Sequence, residues 1–241
     1  MGGLWVLLLL IAISSLPLIP VYIWFRVSHV PVTRPRFLCA LLTGAAAIFP
    51  ALFLQDVFSR LGETLPVLSG RGNLLAAIFF PIAFTEEFSR LLTLLILFGF
   101  FRLFDRKNPE ADPFALADAK ALKGNIQSSA LGLAAGFGFA IIESAAYGAA
   151  DIGAALLRAF TSAPLHGACG ARIGSAAAIL KKQPLAALLR FITAVAIHGM
   201  YNFMIIKPGF PAVIAVLIAL SALGSSILVI RNGREKTAKD T

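Results

Sequence analysis

The sequence predicts an all-α fold, a polytopic membrane helix bundle of about seven transmembrane helices, and three observations carry that reading. First, only 14% of the 241 residues are charged while 59% are hydrophobic. An ordinary globular chain is about 25% charged, so this one has too little polar surface to cover itself in water. Second, the apolar residues gather into runs about as long as a bilayer core is thick, which takes roughly 20 residues at 1.5 Å each. Third, the basic residues fall between those runs and alternate in density from one connection to the next. A soluble globule, a disordered chain and a disulfide scaffold are excluded.

In chain order the runs are about 4–25, 37–58, 74–101, 129–149, 154–180, 185–206 and 211–230. The first lacks the basic n-region of a secretory signal, so it is expected to be a span rather than a cleaved leader. Pro31 and Pro35 punctuate the first connection, Gly70 and Gly72 precede the third run, Pro184 opens the sixth, and Pro208 and Pro211 separate the last two. The third and fifth runs exceed 20 residues and are expected to tilt or project beyond the hydrocarbon. Gly132, Gly136 and Gly138 give the fourth run a small face for close helix packing. Pro164 removes one backbone hydrogen bond from the fifth. The segment from about 102 to 128 is the only long connection. Its stretch DPFALADAKALKGNIQ is too polar to span and is expected to be a solvated cytoplasmic loop with a helical turn or two, the alternative being a short amphipathic interfacial helix with Phe114, Leu122 and Ile126 inward. The chain shows no internal repeat.

Charge orients the bundle. With the N-terminus outside, fourteen basic residues lie on the cytoplasmic side: Arg26, Arg34 and Arg36; Arg102, Arg106, Lys107, Lys120 and Lys123; Lys181 and Lys182; Arg231, Arg234, Lys236 and Lys239. The outer connections hold only Arg60, Arg71 and Lys207. That asymmetry places the C-terminal segment in the cytoplasm. The net charge of +9 is therefore topological; no basic face with interleaved aromatics exists, and nucleic-acid binding is rejected. Cys39 and Cys169 lie inside apolar runs without disulfide or zinc-finger spacing and read as small packing residues.

Against this background a few polar residues stand where lipid should forbid them. Glu86, Glu87 and Arg90 lie in PIAFTEEFSRLLTLL, Glu143 in AAGFGFAIIESAAYG, His166 in TSAPLHGACGARIG and His198 in VAIHGMYNF. An ionisable group near the bilayer centre costs at least about 2.5–3.5 kcal/mol on insertion scales, which makes each a candidate site residue. Counted from the outer ends of the runs, Glu86 and His166 fall at a depth of about 18 Å, His198 at about 12 Å and Glu143 at about 9 Å. Four helices thus place ionisable groups in one slab. Singly, each has a plainer explanation as a buried ion pair or a packing histidine; a shared depth favours a site.

Spacing adds local geometry. Arg90 is i+4 from Glu86 and i+3 from Glu87, within reach of either carboxylate. Adjacent carboxylates in a low dielectric cannot both carry charge cheaply, which suits one of them to moving a proton. Asn202 is i+4 from His198, so an amide and an imidazole project together. Arg158 and Arg172, flanking His166, read as snorkelling or helix-pairing residues. Carboxylates, two histidines and an amide, without a suitably placed Ser or Cys nucleophile, suit water activation. One version is metal-assisted, with His and Glu ligands holding Zn²⁺ and a further Glu as general base. The other is metal-free, with paired Glu and His polarising water.

The ordered motifs EE-FS-R, GFGFAIIES-AAY, RAFTSAPLHGACGARIG and IHGMYNF resemble those of the PrsW family of intramembrane proteases, within the wider group that includes the CAAX prenyl endopeptidases. The resemblance runs from about Phe84 to Phe203. It implies that Glu86, Glu87 and Arg90 match the EE-plus-basic motif, Glu143 the GFGFA-x-x-E position, His166 the PLH position, and His198 with Asn202 the final H-x-x-x-N. It further implies hydrolysis of a peptide bond within or beside the membrane, typically in a single-span anti-sigma factor cut on its extracytoplasmic side. Arg90 stands where many members carry Lys. Glu143 stands where CAAX endopeptidases carry His, which argues against prenyl-protein processing. The wider group is usually described as metalloproteases, although a glutamate mechanism has been proposed.

The expectation is therefore one integral membrane domain over 1–241, with a catalytic core at about 74–206 and a short basic tail at 231–241, in the inner membrane of a bacterial-type cell. Glu86 or Glu87 is the expected base. His166, His198 and Glu143 are the expected metal ligands, and Arg90 and Asn202 orient groups and stabilise charge. A transporter or proton-coupled channel also wants Glu and His at mid-depth, and a catalytically idle scaffold relative is a third reading.

Overall fold

The computed structural model describes residues 2–64, 74–105, 119–206 and 209–239. Among them every regular element is helical: α1 (Gly2–Ser15), α2 (Leu18–Val27), α3 (Arg34–Ala46), α4 (Ile48–Thr64), α5 (Leu74–Ile78), a π-helical stretch (Phe79–Phe84), α6 (Thr85–Asp105), α7 (Ala119–Gly148), α8 (Ile152–Ile179), α9 (Pro184–Ile205) and α10 (Phe210–Lys239). The all-α class stands. By length and hydropathy four segments qualify as membrane spans: Arg34–Leu61, Asn125–Gly148, Pro184–Ile205 and Pro211–Gly233. The bent pair α1–α2 makes a fifth. The other two expected spans are helical as well, but they carry the polar load, Glu86, Glu87 and Arg90 in one and Arg158, His166 and Arg172 in the other. About seven is thus an approximate figure.

Three local departures have identifiable causes. The first expected span bends by 45° between Ser15 and Leu18, where Pro17 and Pro20 cannot donate to the helical ladder. The third run is interrupted by the π-helical stretch around Pro81, whose missing N–H leaves carbonyls to be satisfied otherwise. The long connection yields a helix earlier than expected: α7 begins at Ala119 and buries Ile126 in the core. Phe114 and the side chain of Leu122 lie outside the described residues. Elsewhere the punctuation works as read. Asp151 caps α8 by accepting from Gly153 N at 2.9 Å, and Pro184 sits in the first turn of α9.

α7 is the central helix. Within its span window 83% of residues are buried, against 28% in the other three qualifying segments. Its closest neighbour is α8, and small residues make that approach possible. A Cβ on Gly136 would stand 1.9 Å from the His166 carbonyl oxygen, and one on Gly132 would stand 2.1 Å from that of Gly170. Without a hydrophobic force between helices in lipid, such backbone contact is the main source of association. α3 docks on another side of α7, Gly44 against the Ala135 carbonyl and Gly138 against that of Leu41, while α9 and α10 pack on α8. Gly136→Ala therefore forces α7 and α8 apart beside the site. Expected is a loss of about 1–3 kcal/mol, read as a lowered Tm in detergent; an unchanged Tm would show that the pair relaxes freely.

Candidate active site

The site is assembled at the start of α6. Thr85 Oγ1 donates to the carbonyls of Pro81 at 2.7 Å and Ile82 at 3.0 Å, absorbing acceptors freed by the π-helical stretch. π-bulges of this kind are frequent at functional sites because they re-aim the following turn. Glu86 and Glu87 then occupy the first turn of α6, where the helix dipole favours negative charge.

Arg90 is the hub of the cluster. It is fully buried, its Nη2 lies 2.5 Å from Glu87 Oε1, its Nη1 donates to the His166 carbonyl at 3.3 Å, and its Nη2 lies 3.1 Å from His166 Nδ1. A guanidinium has only donors, so Nδ1 of His166 accepts and the ring proton sits on Nε2. That nitrogen donates to Glu143 Oε2 at 2.7 Å. His198 Nδ1 donates to Glu87 Oε1 at 2.8 Å, and its Nε2 lies 3.6 Å from Glu86 Oε2. The two imidazoles meet edge to face with centroids 5.0 Å apart. Phe139 walls the pocket, lying 5.2 Å from the His166 ring and beneath Arg90 at 4.7 Å.

One nitrogen or oxygen from each of Glu86, His166 and His198 lies within 4.8 Å of the others, and all three residues are buried. Glu86 Oε2 has no hydrogen-bond partner although it is fully enclosed, which fits a ligand atom better than a structural carboxylate. His198 is also held at Nδ1 by the Glu87 carboxylate, as metal-bound imidazoles usually are. The donor set of one carboxylate and two imidazoles suits a divalent ion that keeps an open position. These residues fit a metal.

Five of the expected residues, Glu86, Glu87, Arg90, His166 and His198, form one continuous cluster, and Glu143 joins it through His166. Glu143 is not in the three-residue group; it pairs with Arg158 at 2.6 Å and is 15% exposed. Asn202 is half-buried and its side chain makes no hydrogen bond among the described residues. Cys169 is buried, its Sγ 3.5 Å from the Ala194 carbonyl. Sequence reading missed two contributors. Arg158 stacks on Tyr147 at 4.0 Å while holding Glu143, and no fixed helical spacing links it to that partner. Gln55 Nε2 lies 3.4 Å from Glu86 Oε1; an amide inside an apolar run was the available signal.

A polar cluster that can hold an ion, enclosed by membrane-length helices, is compatible with hydrolysis inside the bilayer. The comparison with protein families narrows that reading. The profile of the PrsW family intramembrane metalloproteases matches residues 34–225, most of the chain, and the protein belongs to that family. It is an intramembrane endopeptidase. No curated protein and no solved structure matches it.

Proposed function

We propose that the protein cuts a single-span membrane protein of the anti-sigma-factor kind at a peptide bond near the outer membrane boundary, from the inner membrane of its cell, with its N-terminus outside, its C-terminal segment cytoplasmic and residues 74–206 as the catalytic unit. The observation that carries this reading is the buried Glu86–His166–His198 group, drawn from three different helices and able to hold a metal. Zn²⁺ suits that donor set, with Glu86 in place of Glu143 as the carboxylate ligand; the ion supplies Lewis acidity toward the scissile carbonyl and favours deprotonation of water.

The protein's own groups do the rest. Glu87 holds His198 by Nδ1 and is itself held by Arg90, so both act as positioning residues rather than touching substrate. Glu143, the most exposed carboxylate of the cluster, shares its Oε2 with His166 Nε2 and Arg158. As the carboxylate nearest the surface of the cluster, Glu143 would take a proton from the attacking water and pass it to the departing amine nitrogen. The Asn202 amide, four residues beyond His198, is assigned to hydrogen-bond the substrate's carbonyl oxygen as charge develops there.

The test is reconstitution in liposomes with single-span substrates of both orientations, the products mapped by mass spectrometry. Cleavage of substrates within or beside the span, at the end nearer the Gly148–Asp151 turn, is expected. Cleavage confined to the opposite boundary, or to soluble peptides, overturns the substrate assignment. Topology is tested separately by introducing Ala150→Cys or Lys182→Cys, both exposed positions, into a chain otherwise free of cysteine. An impermeant thiol reagent added outside the cell should label the first and spare the second; the reverse pattern inverts the bundle.

A further inference from the structure

A cavity with arginine and serine side chains in its lining lies away from the catalytic cluster, toward the basic end of the bundle. It has a volume of about 290 Å³ and sits among α7, α8, α9 and α10. Two arginines face it. Arg172 Nη1 donates to the Ala168 carbonyl at 3.0 Å and to Ser226 Oγ at 2.9 Å, and its Nη2 donates to Ser225 Oγ at 2.8 Å. Arg190 donates to Asn125 Oδ1 at 3.3 Å and also to Ser175 Oγ. Among the described residues neither has a carboxylate partner; the charged pairs there are Arg60–Asp56, Arg90 with Glu86 and Glu87, and Arg158–Glu143. Two guanidinium groups inside membrane-length helices, hydrogen-bonded but without a carboxylate partner among the described residues, are suited to an anion supplied from outside the chain.

The level and the opening of the cavity identify that anion's source. Arg172 and Ser175 lie one to two turns before the end of α8, Arg190 lies nearly two turns into α9, and Ser225 and Ser226 lie about two turns before Gly233. Lys181, Lys182 and Arg231 stand just beyond them at the same end. The cavity is therefore about one to two turns inside the basic rim, the depth of phosphate and glycerol groups in a leaflet. Val229 in its lining is 66% exposed, so the cavity reaches the surface of the bundle. We propose that this cavity binds the phosphate of an anionic phospholipid, Arg172 and Arg190 pairing with its oxygens and the serine hydroxyls completing the shell. Basic pockets between membrane helices near a charged rim are suited to such headgroups, and Arg matches phosphate geometry through paired donors. The bound lipid would tie α10 and α9 to the α7–α8 pair that carries Glu143 and His166.

The full chain is placed in nanodiscs of phosphatidylcholine, with phosphatidylglycerol titrated in as one arm and inorganic phosphate as the other. Retained lipid is read by native mass spectrometry and stability by Tm. Wild type should retain phosphatidylglycerol and gain Tm, and Arg190→Gln should weaken that retention by about tenfold or more, the usual weight of a charged hydrogen bond. Arg172→Gln loses both α10 serine contacts, so Ser225→Leu, which adds bulk to the lining without removing charge and keeps the Arg172–Ser226 bond, is the second variant and should block retention equally. Protection by inorganic phosphate instead of lipid would assign the same cavity to a small anion and overturn the lipid source. Retention that is unaffected by Arg190→Gln and Ser225→Leu, or is weakened as much by Lys181→Gln with Lys182→Gln, would overturn the site in favour of diffuse surface charge.

Discussion

Glu86→Gln in the reconstituted protein should abolish peptide-bond cleavage, lowering kcat/KM by about a thousand-fold or more, because a bound ion contributes several kcal/mol to charge stabilisation and each 1.36 kcal/mol is a factor of ten. The substitution keeps the size of the side chain and removes the charge of an oxygen that has no hydrogen-bond partner. His198→Ala should act alike, since its free Nε2 faces the same atom. Both variants should release the metal, measured by elemental analysis, and wild type stripped by a chelator should recover with added Zn²⁺. Glu143→Gln separates the roles: it should retain metal while losing turnover, as a proton-handling carboxylate would. An active Glu86→Gln protein with full metal content would remove Glu86 from the ligand set. A metal-free wild type that still cleaves would move the chemistry to the paired glutamates and histidines alone.

Arg90→Ala is the second large effect, and it falls on stability. The side chain is completely enclosed and compensates Glu87, which is itself fully buried. Removing one partner of such a pair strands the other charge, at about 3–5 kcal/mol. The expected result is a large fall in Tm in detergent, partly restored by Arg90→Lys, which keeps the charge but cannot reach Glu87, His166 Nδ1 and the His166 carbonyl together. Adding Glu87→Ala to Arg90→Ala should recover stability and leave activity lost, because His198 then has nothing on its Nδ1. A double variant as unstable as Arg90→Ala alone would mean that Glu87 is not the charge being compensated.

How far this architecture is legible in the sequence differs by residue. The i+3 relation of Glu87 and Arg90 lies within one helix turn, and spacing alone specifies it. The glycine face of α7 is equally legible, because only small residues allow the approach that Gly132 and Gly136 make. Counting along the runs gives Glu86, Glu143, His166 and His198 a similar depth, but depth does not distinguish neighbours around a bundle axis. The choice between Glu86 and Glu143 beside the two histidines therefore stays open until the helices are placed. Arg158 reads as a snorkelling or pairing residue in the sequence, since its partner is on another helix and no period connects them. The π-helical stretch escapes the sequence because Pro81 predicts a disturbance of the ladder without saying which form it takes.

What the sequence by itself determined is the solvent and the helical plan. Scarce charge, runs of bilayer length and the alternation of basic connections depend on composition and local order, which act before any helix meets another. Only the tertiary structure decided the chemistry of the individual side chains. Arg90 constrains both histidines, donating toward His166 Nδ1 and holding the carboxylate to which His198 Nδ1 donates. Those constraints arise where α6, α7, α8 and α9 converge. Hydrogen bonding is short-ranged and directional, so it is specified by that convergence and by nothing along a single helix.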